Sequence, residues 1–194
     1  MENKRCEWCH GDELYHRYHD EEWGVPLFDE QRLFEFLLLE GAQAGLSWIT
    51  VLRKRENYRL AYDNFDPNKL ARYSQSKIDK LLQNPGIIRN KLKVNSAVRN
   101  AKAWLALKDQ GVDLVDYFWR FVDGKPIQSN LKKMSDIPAS NAISDALAKQ
   151  LKKDGFNFVG STICYAHMQA TGMINDHILS CPRHRACVEL SKKL

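Results

Sequence analysis

Apolar residues recur along this chain at intervals of three and four, the spacing that places them on one face of an α-helix. The pattern predicts helices over 31–39, 47–61, 113–121, 142–153 and 158–171. Asp66-Pro67, an N-cap followed by proline in the first turn, opens a short helix to about Tyr73. Ser76 caps another, with Asp79 three residues on in the capping-box position, and that helix ends near Gln83. Beyond Asn84-Pro85-Gly86, the stripe Val94, Val98, Ala101 and Leu105 has the spacing of a further core-facing helix. Gly155 and Gly172 read as C-terminal stops. Asp123-Gly124 is the one hairpin-like signal, and its flanks do not alternate. With no internal repeat, low-complexity tract or linker, the expectation is one all-α domain over 1–194.

One residue breaks the pattern. Glu40 follows Leu33, Phe34, Phe36, Leu37, Leu38 and Leu39, and precedes Gly41-Ala-Gln-Ala-Gly-Leu-Ser-Trp48. An ionised acid in apolar surroundings is costly unless paired, and its pKa is pushed upward. The two glycines let the backbone turn tightly or approach a ligand, while Trp48 and Gln43 can stack on and hydrogen-bond a flat polar ligand. The plainer reading is a helix cap, or a surface pair with Arg53 or Lys54. Nearer the start, Trp8, Tyr15, Tyr18 and Trp23 fall within a short polar stretch. Their faces can sandwich a planar base, or simply pack around a metal.

The 194 residues are 44% hydrophobic, enough for a substantial core. The apolar runs are interrupted well short of the roughly 20 residues a membrane span needs, and the start lacks an apolar secretion signal. A cytoplasmic protein without a membrane partner is therefore expected. Net charge is only +5, but its placement is uneven. No acid lies between Asp79 and Asp109, whereas Lys80, Arg89, Lys91, Lys93, Arg99, Lys102 and Lys108 do. Such a one-signed stretch favours a polyanion through counterion release. Within it, Leu81–Lys91 reads as helix, Pro-Gly turn and helix start. Turn amides, a helix dipole, Arg89 and Lys91 suit a phosphate, although the turn alone equally describes an ordinary corner.

Five cysteines (6, 9, 164, 181 and 187) suggest metal ligands or buried thiols rather than disulfides. Cys6 and His19 lie near one terminus, His177 and Cys181 near the other, the last pair spaced to share one face of a helical turn. Two thiolates and two imidazoles make a closed, structural zinc site. Cys9, His10, His16, His184 and Cys187 lie nearby, so spacing leaves the choice open.

Together these segments resemble the bacterial 3-methyladenine DNA glycosylase I (Tag) family, one of the helix-hairpin-helix DNA glycosylases. The resemblance runs through Tyr15-x-x-Tyr18-His19-Asp20-x-Glu22-Trp23-Gly24, Leu39–Leu52, Gly86-Ile87-Ile88-Arg89, Gly155-Phe156-x-Phe158-Val159-Gly160-Ser161-Thr162-Ile163-Cys164-Tyr165 and Asn175-Asp176-His177, almost the whole chain. It implies a helical bundle with the hairpin at about 76–107 and a zinc site joining terminal segments 1–25 and 173–187. One structural Zn2+ would be held by Cys6, His19, His177 and Cys181. Glu40 would recognise the base, with Tyr15, Tyr18, Trp23, Trp48 and Gln43 around it. Gln43, Gly45 and Leu46 fall in the DNA-probing loop, with Leu46 as a wedge, and Gly86, Ile87, Arg89 and Lys91 would hold the backbone.

The implied activity is monofunctional: the protein flips 3-methyladenine out of alkylated double-stranded DNA and hydrolyses its glycosidic bond. Free 3-methyladenine and an abasic site result. Related glycosylases place an aspartate or a lysine after the hairpin, but 86–107 contains no carboxylate, and N3 alkylation already weakens the bond. A monomer suffices for one DNA face. The main rival is a non-catalytic, zinc-stabilised DNA-binding module, which leaves Glu40 without a role. A zinc deaminase would need H-x-E and P-C-x-x-C segments, and here Cys181-Pro182 runs in the wrong order.

Overall fold

The computed structural model describes residues 5–194; the first four residues of the expected domain and N-terminal segment lie outside that range. Eleven α-helices are present among the described residues. They are α1 (Glu13–Glu21), α2 (Glu30–Gln43), α3 (Trp48–Leu52), α4 (Arg55–Ala61), α5 (Pro67–Leu70) and α6 (Gln75–Gln83), then α7 (Lys91–Asp109), α8 (Leu114–Trp119), α9 (Ala142–Lys153), α10 (Ser161–Ala170) and α11 (Pro182–Ser191).

α2 organises the rest. Leu33 through Ala42 are all buried, as expected of a helix apolar around its whole circumference, and α3, α7, α8 and α10 pack on it. Asp29 starts the helix by accepting the Arg32 amide at 2.8 Å. Buried Glu35 is satisfied by Arg55 Nε and Arg59, both at 2.8 Å. α7, the longest helix, presents Val94, Val98 and Ala101 inward as its spacing predicts. Its stripe then continues through Trp104 and Leu107, while Leu105 is only half-buried.

Several expectations need correction. The predicted 47–61 helix divides at Arg53-Lys54 into α3 and α4. α6 is capped by Ser74, whose hydroxyl accepts the Lys77 amide at 3.3 Å, rather than by Ser76; Asp79 instead takes a hydrogen bond from Gln75. Asp123 and Gly124 are both left-handed and close a helical turn, in keeping with flanks that do not alternate. Two short strands do occur, β1 (Ile127–Gln128) and β2 (Ile174–Asn175), paired in parallel. α1 and α11 were not anticipated, since polar residues and the histidines interrupt their apolar spacing. His177 and Cys181 lie in the loop after β2, which closes in a turn through Cys181 N–H to Ile178 O (2.8 Å), with Cys181 the residue before α11.

The N-terminal segment crosses the end of α10 at Gly172, whose φ is +69°. A Cβ there would stand 2.2 Å from the Val25 carbonyl carbon, so only glycine lets the two backbones meet. Gly24 N–H to Gln169 O (2.9 Å) and Leu27 N–H to Thr171 O (3.0 Å) complete the crossing and bring the two ends of the chain together.

Candidate active site and metal centre

Glu40 occupies the last turns of α2 and is 3% exposed. Unlike Glu35, five residues earlier on the same helix, it receives no hydrogen bond and no ion pair from a described residue. The proposed pairing with Arg53 or Lys54 is absent: Arg53 binds Asp12, and Lys54 donates to the Pro85 carbonyl at 2.8 Å. Burial alone pushes the Glu40 carboxyl up from 4.5 to about 8.

Aromatic rings form a connected shell on one side of this acid. Tyr18 lies 5.3 Å from Trp48 and 6.1 Å from Trp8, which in turn stands 4.9 Å from Tyr15 and 5.1 Å from Trp23. The phenols of Tyr15 and Tyr18 are raised by burial first, and the nearby Glu40 charge adds to the rise in both. The indole N–H groups of Trp8 and Trp48 are buried without an acceptor among the described residues. An unpaired carboxyl and two unpaired donors in an aromatic shell are costly in isolation, and a planar ligand with polar edges would satisfy them. Trp23 belongs as much to the metal centre, with its ring edge-on to His177 at 4.6 Å.

The loop after α2 is exposed at Gly45, Leu46 and Ser47. Gly45 has φ +78°, and nothing lies within 4 Å of where its Cβ would be. Gln43 donates to the Leu46 carbonyl at 3.1 Å. Its amide thus helps to shape this loop.

Cys6, His19, His177 and Cys181 converge from the two ends of the chain, all buried, with their ligand atoms within 4.8 Å of one another. Cys6 Sγ lies 3.7 Å from His177 Nδ1, and Cys181 Sγ lies 3.6 Å from His19 Nε2 and 3.7 Å from His177 Nδ1. Tetrahedral Zn–S and Zn–N bonds place such atoms about 3.5 Å apart. The outer ring nitrogens are already engaged, His19 Nδ1 with Asp20 at 2.7 Å and His177 Nε2 with the Trp23 carbonyl at 2.9 Å. That leaves the inner nitrogens for a cation, the usual support for a metal-ligating histidine. Hydrogen bonds from Cys6 and the two histidines make Cys181 ionise more readily than an ordinary thiol, as a metal-ligating thiolate requires. The donor set therefore fits a soft divalent metal. Cys9, His10, His184 and Cys187 stand outside it: Cys9 donates to the Cys6 carbonyl, and His184 bonds the Ser129 carbonyl.

The α6–α7 corner is built tightly. A Cβ on Gly86 would meet Asn57 and Asn84 at 3.0 Å. Its amide goes to Asn84 Oδ1 at 2.8 Å, the Ile88 amide goes to Tyr58 OH at 3.1 Å, and Ile87 is buried. The glycine is thus needed for close approach, and its N–H does not point outward as expected. Arg89 and Lys91 are exposed, and Asn90 caps α7 by accepting the Leu92 and Lys93 amides.

Three participants escaped the sequence reading. Phe158 is left-handed (φ +54°), and its Cβ lies 3.4 Å from where a Cβ on Gly41 would be. Asn100 clamps the neighbouring Asn157 backbone, and Lys93 turns inward. No periodicity marks a strained phenylalanine, and an asparagine or lysine on an amphipathic helix reads as solvent-facing.

The family model for methyladenine glycosylase matches residues 8–184. The chain is 50% identical over 178 residues to DNA-3-methyladenine glycosylase 1 of Escherichia coli strain K12, covering 92% of this chain and 95% of that protein. A crystal structure of a 3-methyladenine DNA glycosylase I superposes with a TM-score of 0.91 at 52% identity, covering 92% of this chain and 98% of the other. The crystal structure of a tyrosine-to-phenylalanine variant of 3-methyladenine DNA glycosylase I in complex with 3-methyladenine matches with a TM-score of 0.88 at 33% identity, over 92% and 96% of the two chains.

Proposed function

The chain belongs to the methyladenine glycosylase family, and on that footing we propose that it excises 3-methyladenine from alkylated double-stranded DNA, releasing the free base and leaving an abasic site. The observation that carries the reading is Glu40, a buried carboxyl without a partner among the described residues, beside an aromatic shell. Methylation at N3 gives the adenine of the nucleotide a positive charge. Raised to about 8, the Glu40 carboxyl is largely protonated at neutral pH in the free protein, and a cationic base is the ligand that draws it into its ionised form. Ordinary adenine offers no such charge, which accounts for the rejection of undamaged adenine; a cationic 7-methylguanine must be refused by the shape of the aromatic shell.

The nucleotide is taken out of the stack. Glu40 accepts hydrogen bonds from the base edge, while Tyr15, Tyr18 and Trp48 lie against the electron-poor ring and Trp23 supports them from the metal side. The C1′–N9 bond breaks with its electron pair passing to the base, which leaves neutral. Water adds to C1′ and releases its proton to solvent, and no strand is cut. Leu46, presented by Gly45 and braced by Gln43, fills the vacated stack. Gly86 and Ile87 shape the helix-hairpin-helix corner that lets Arg89 and Lys91 meet phosphates. Cys6, His19, His177 and Cys181 would hold one Zn2+, which in a closed four-ligand site cross-links the chain ends and takes no part in bond breaking. Among the described residues no helix is long and apolar enough to cross a membrane, and a single-domain, monomeric, cytoplasmic enzyme fits the reading.

Glu40→Gln is the test. Excision should fall on the order of tenfold to a hundredfold, the worth of a hydrogen bond to a charged group, with non-specific DNA binding nearly intact. Undiminished excision would remove Glu40 from its role and revive the non-catalytic DNA-binding module.

A further inference from the structure

By sequence Lys93 counts among the basic residues of the hairpin helix, yet its side chain does not reach for solvent. Its Nζ donates to the Ala42 carbonyl at 2.7 Å and the Ala44 carbonyl at 2.6 Å. These are terminal carbonyls of α2, which the helix itself leaves unsatisfied and whose partial negative charge favours a cation. They follow Glu40 by two and four residues and directly precede Gly45-Leu46. An ammonium that serves two backbone oxygens in this way has few donors left for a phosphate.

The same face of α7 makes a second clamp two turns on. Asn100, 2% exposed, donates to the Asn157 carbonyl at 3.0 Å and accepts the Asn157 amide at 2.7 Å. Asn157 leads into Phe158, whose left-handed backbone puts it against Gly41. One helix therefore fixes both flanks of Glu40, and that helix begins at the exposed Arg89–Lys91 corner.

We propose that Lys93 is a positioning residue that couples the hairpin's hold on the DNA backbone to the Leu46 loop, by locking the end of α2 onto the first turn of α7. The inference rests on the base-excision reading above. Its consequence is specific. Once α7 is seated on the backbone, the lock sets where Leu46 enters the stack, so it matters most when the target base must be displaced from a partner.

The test compares the full-length protein with its Lys93→Met variant in single-turnover excision. The substrate is an oligonucleotide whose single adenine has been methylated, annealed to a strand carrying either thymine or an abasic site opposite. With thymine opposite, the rate should fall on the order of tenfold or more, as misplacement of a distant support typically does. With the abasic partner the deficit should shrink to a few-fold, because there is less stacking to break. The slope of log affinity against log salt on undamaged duplex should not change, whereas loss of a direct phosphate contact would reduce it by about 0.9. A rate equal to wild type with thymine opposite, an equal deficit with both partners, or a reduced slope each overturns the proposal. Lys93→Gln serves the same comparison if the methionine variant does not fold. Absence of base release by the wild-type protein would instead refute the excision reading itself, so the two failures are distinguishable.

Discussion

The substitution that should slow the reaction should also stabilise the protein. Glu40 carries its carboxyl into the fold without a partner among the described residues, and burial raises it from 4.5 to about 8. A group whose folded pKa lies above its unfolded one contributes fully to stability below the unfolded value and loses that contribution as pH rises through the folded one. Below pH 4.5 both states hold Glu40 protonated and it costs nothing. At pH 7 folding must protonate a group that the unfolded chain keeps ionised, which costs about 3 kcal/mol at about 1.4 kcal/mol per pH unit, levelling off near about 5 kcal/mol above pH 8. Glutamine has nearly the same shape and no charge to lose. Glu40→Gln should therefore match wild type near pH 4.5 and exceed it by roughly 6 to 12 °C in Tm at pH 7, given about 2 to 4 °C per kcal/mol for a chain of this size. Thermal unfolding of both proteins from pH 4.5 to 8.5 measures the gap, and the pH response of the metal centre cancels because both share it. A gap that is constant with pH, or no gap at pH 8, would mean that Glu40 is paired or hydrated in solution and that the account of its selectivity is wrong. A rise in stability together with a fall in excision is the expected signature of a strained functional residue.

Purified protein should carry about one zinc per chain, as judged by metal analysis. Cys9→Ser and Cys187→Ser should retain it while Cys6→Ser loses it with much of the fold, and active protein without metal would end the zinc assignment. Arg89→Ala and Lys91→Ala should each lower the salt slope of duplex binding by up to about 0.9 and weaken all sequences alike. Sequence-dependent losses would place these side chains on bases instead. Gly172→Ala, which drives a Cβ to 2.2 Å from the Val25 carbonyl carbon at a φ of +69°, should lower Tm by roughly 6 °C or more. A change within a degree or two would show that the crossing of the chain ends is loose.

What was legible in the sequence were the features that carry a period or a chemical anomaly. The long apolar run of α2 and the inward stripe of α7 announced themselves, as did Glu40, because an acid among leucines breaks a rule. The four metal ligands needed the family resemblance, since spacing left nine cysteines and histidines in play; the structure brings four of them together and turns Cys9 and His184 to backbone carbonyls. α1 and α11 carry weaker signals, because charged residues and histidines interrupt their apolar spacing. The hairpin amides were misjudged for a different reason. Tyr58 OH and Asn84 Oδ1, which occupy two of them, are tertiary partners that no local spacing reveals. Lys93 is a similar case: its charge places it in the basic stretch, yet its ammonium binds the end of α2.

Chromatography of the bases released from alkylated DNA by the purified protein, with unalkylated DNA alongside, tests the central claim most directly. Free 3-methyladenine from the alkylated sample, with 7-methylguanine left in place and nothing released from the control, is the result expected. DNA that is bound while no base is released would contradict it and leave the fold as a scaffold without the chemistry.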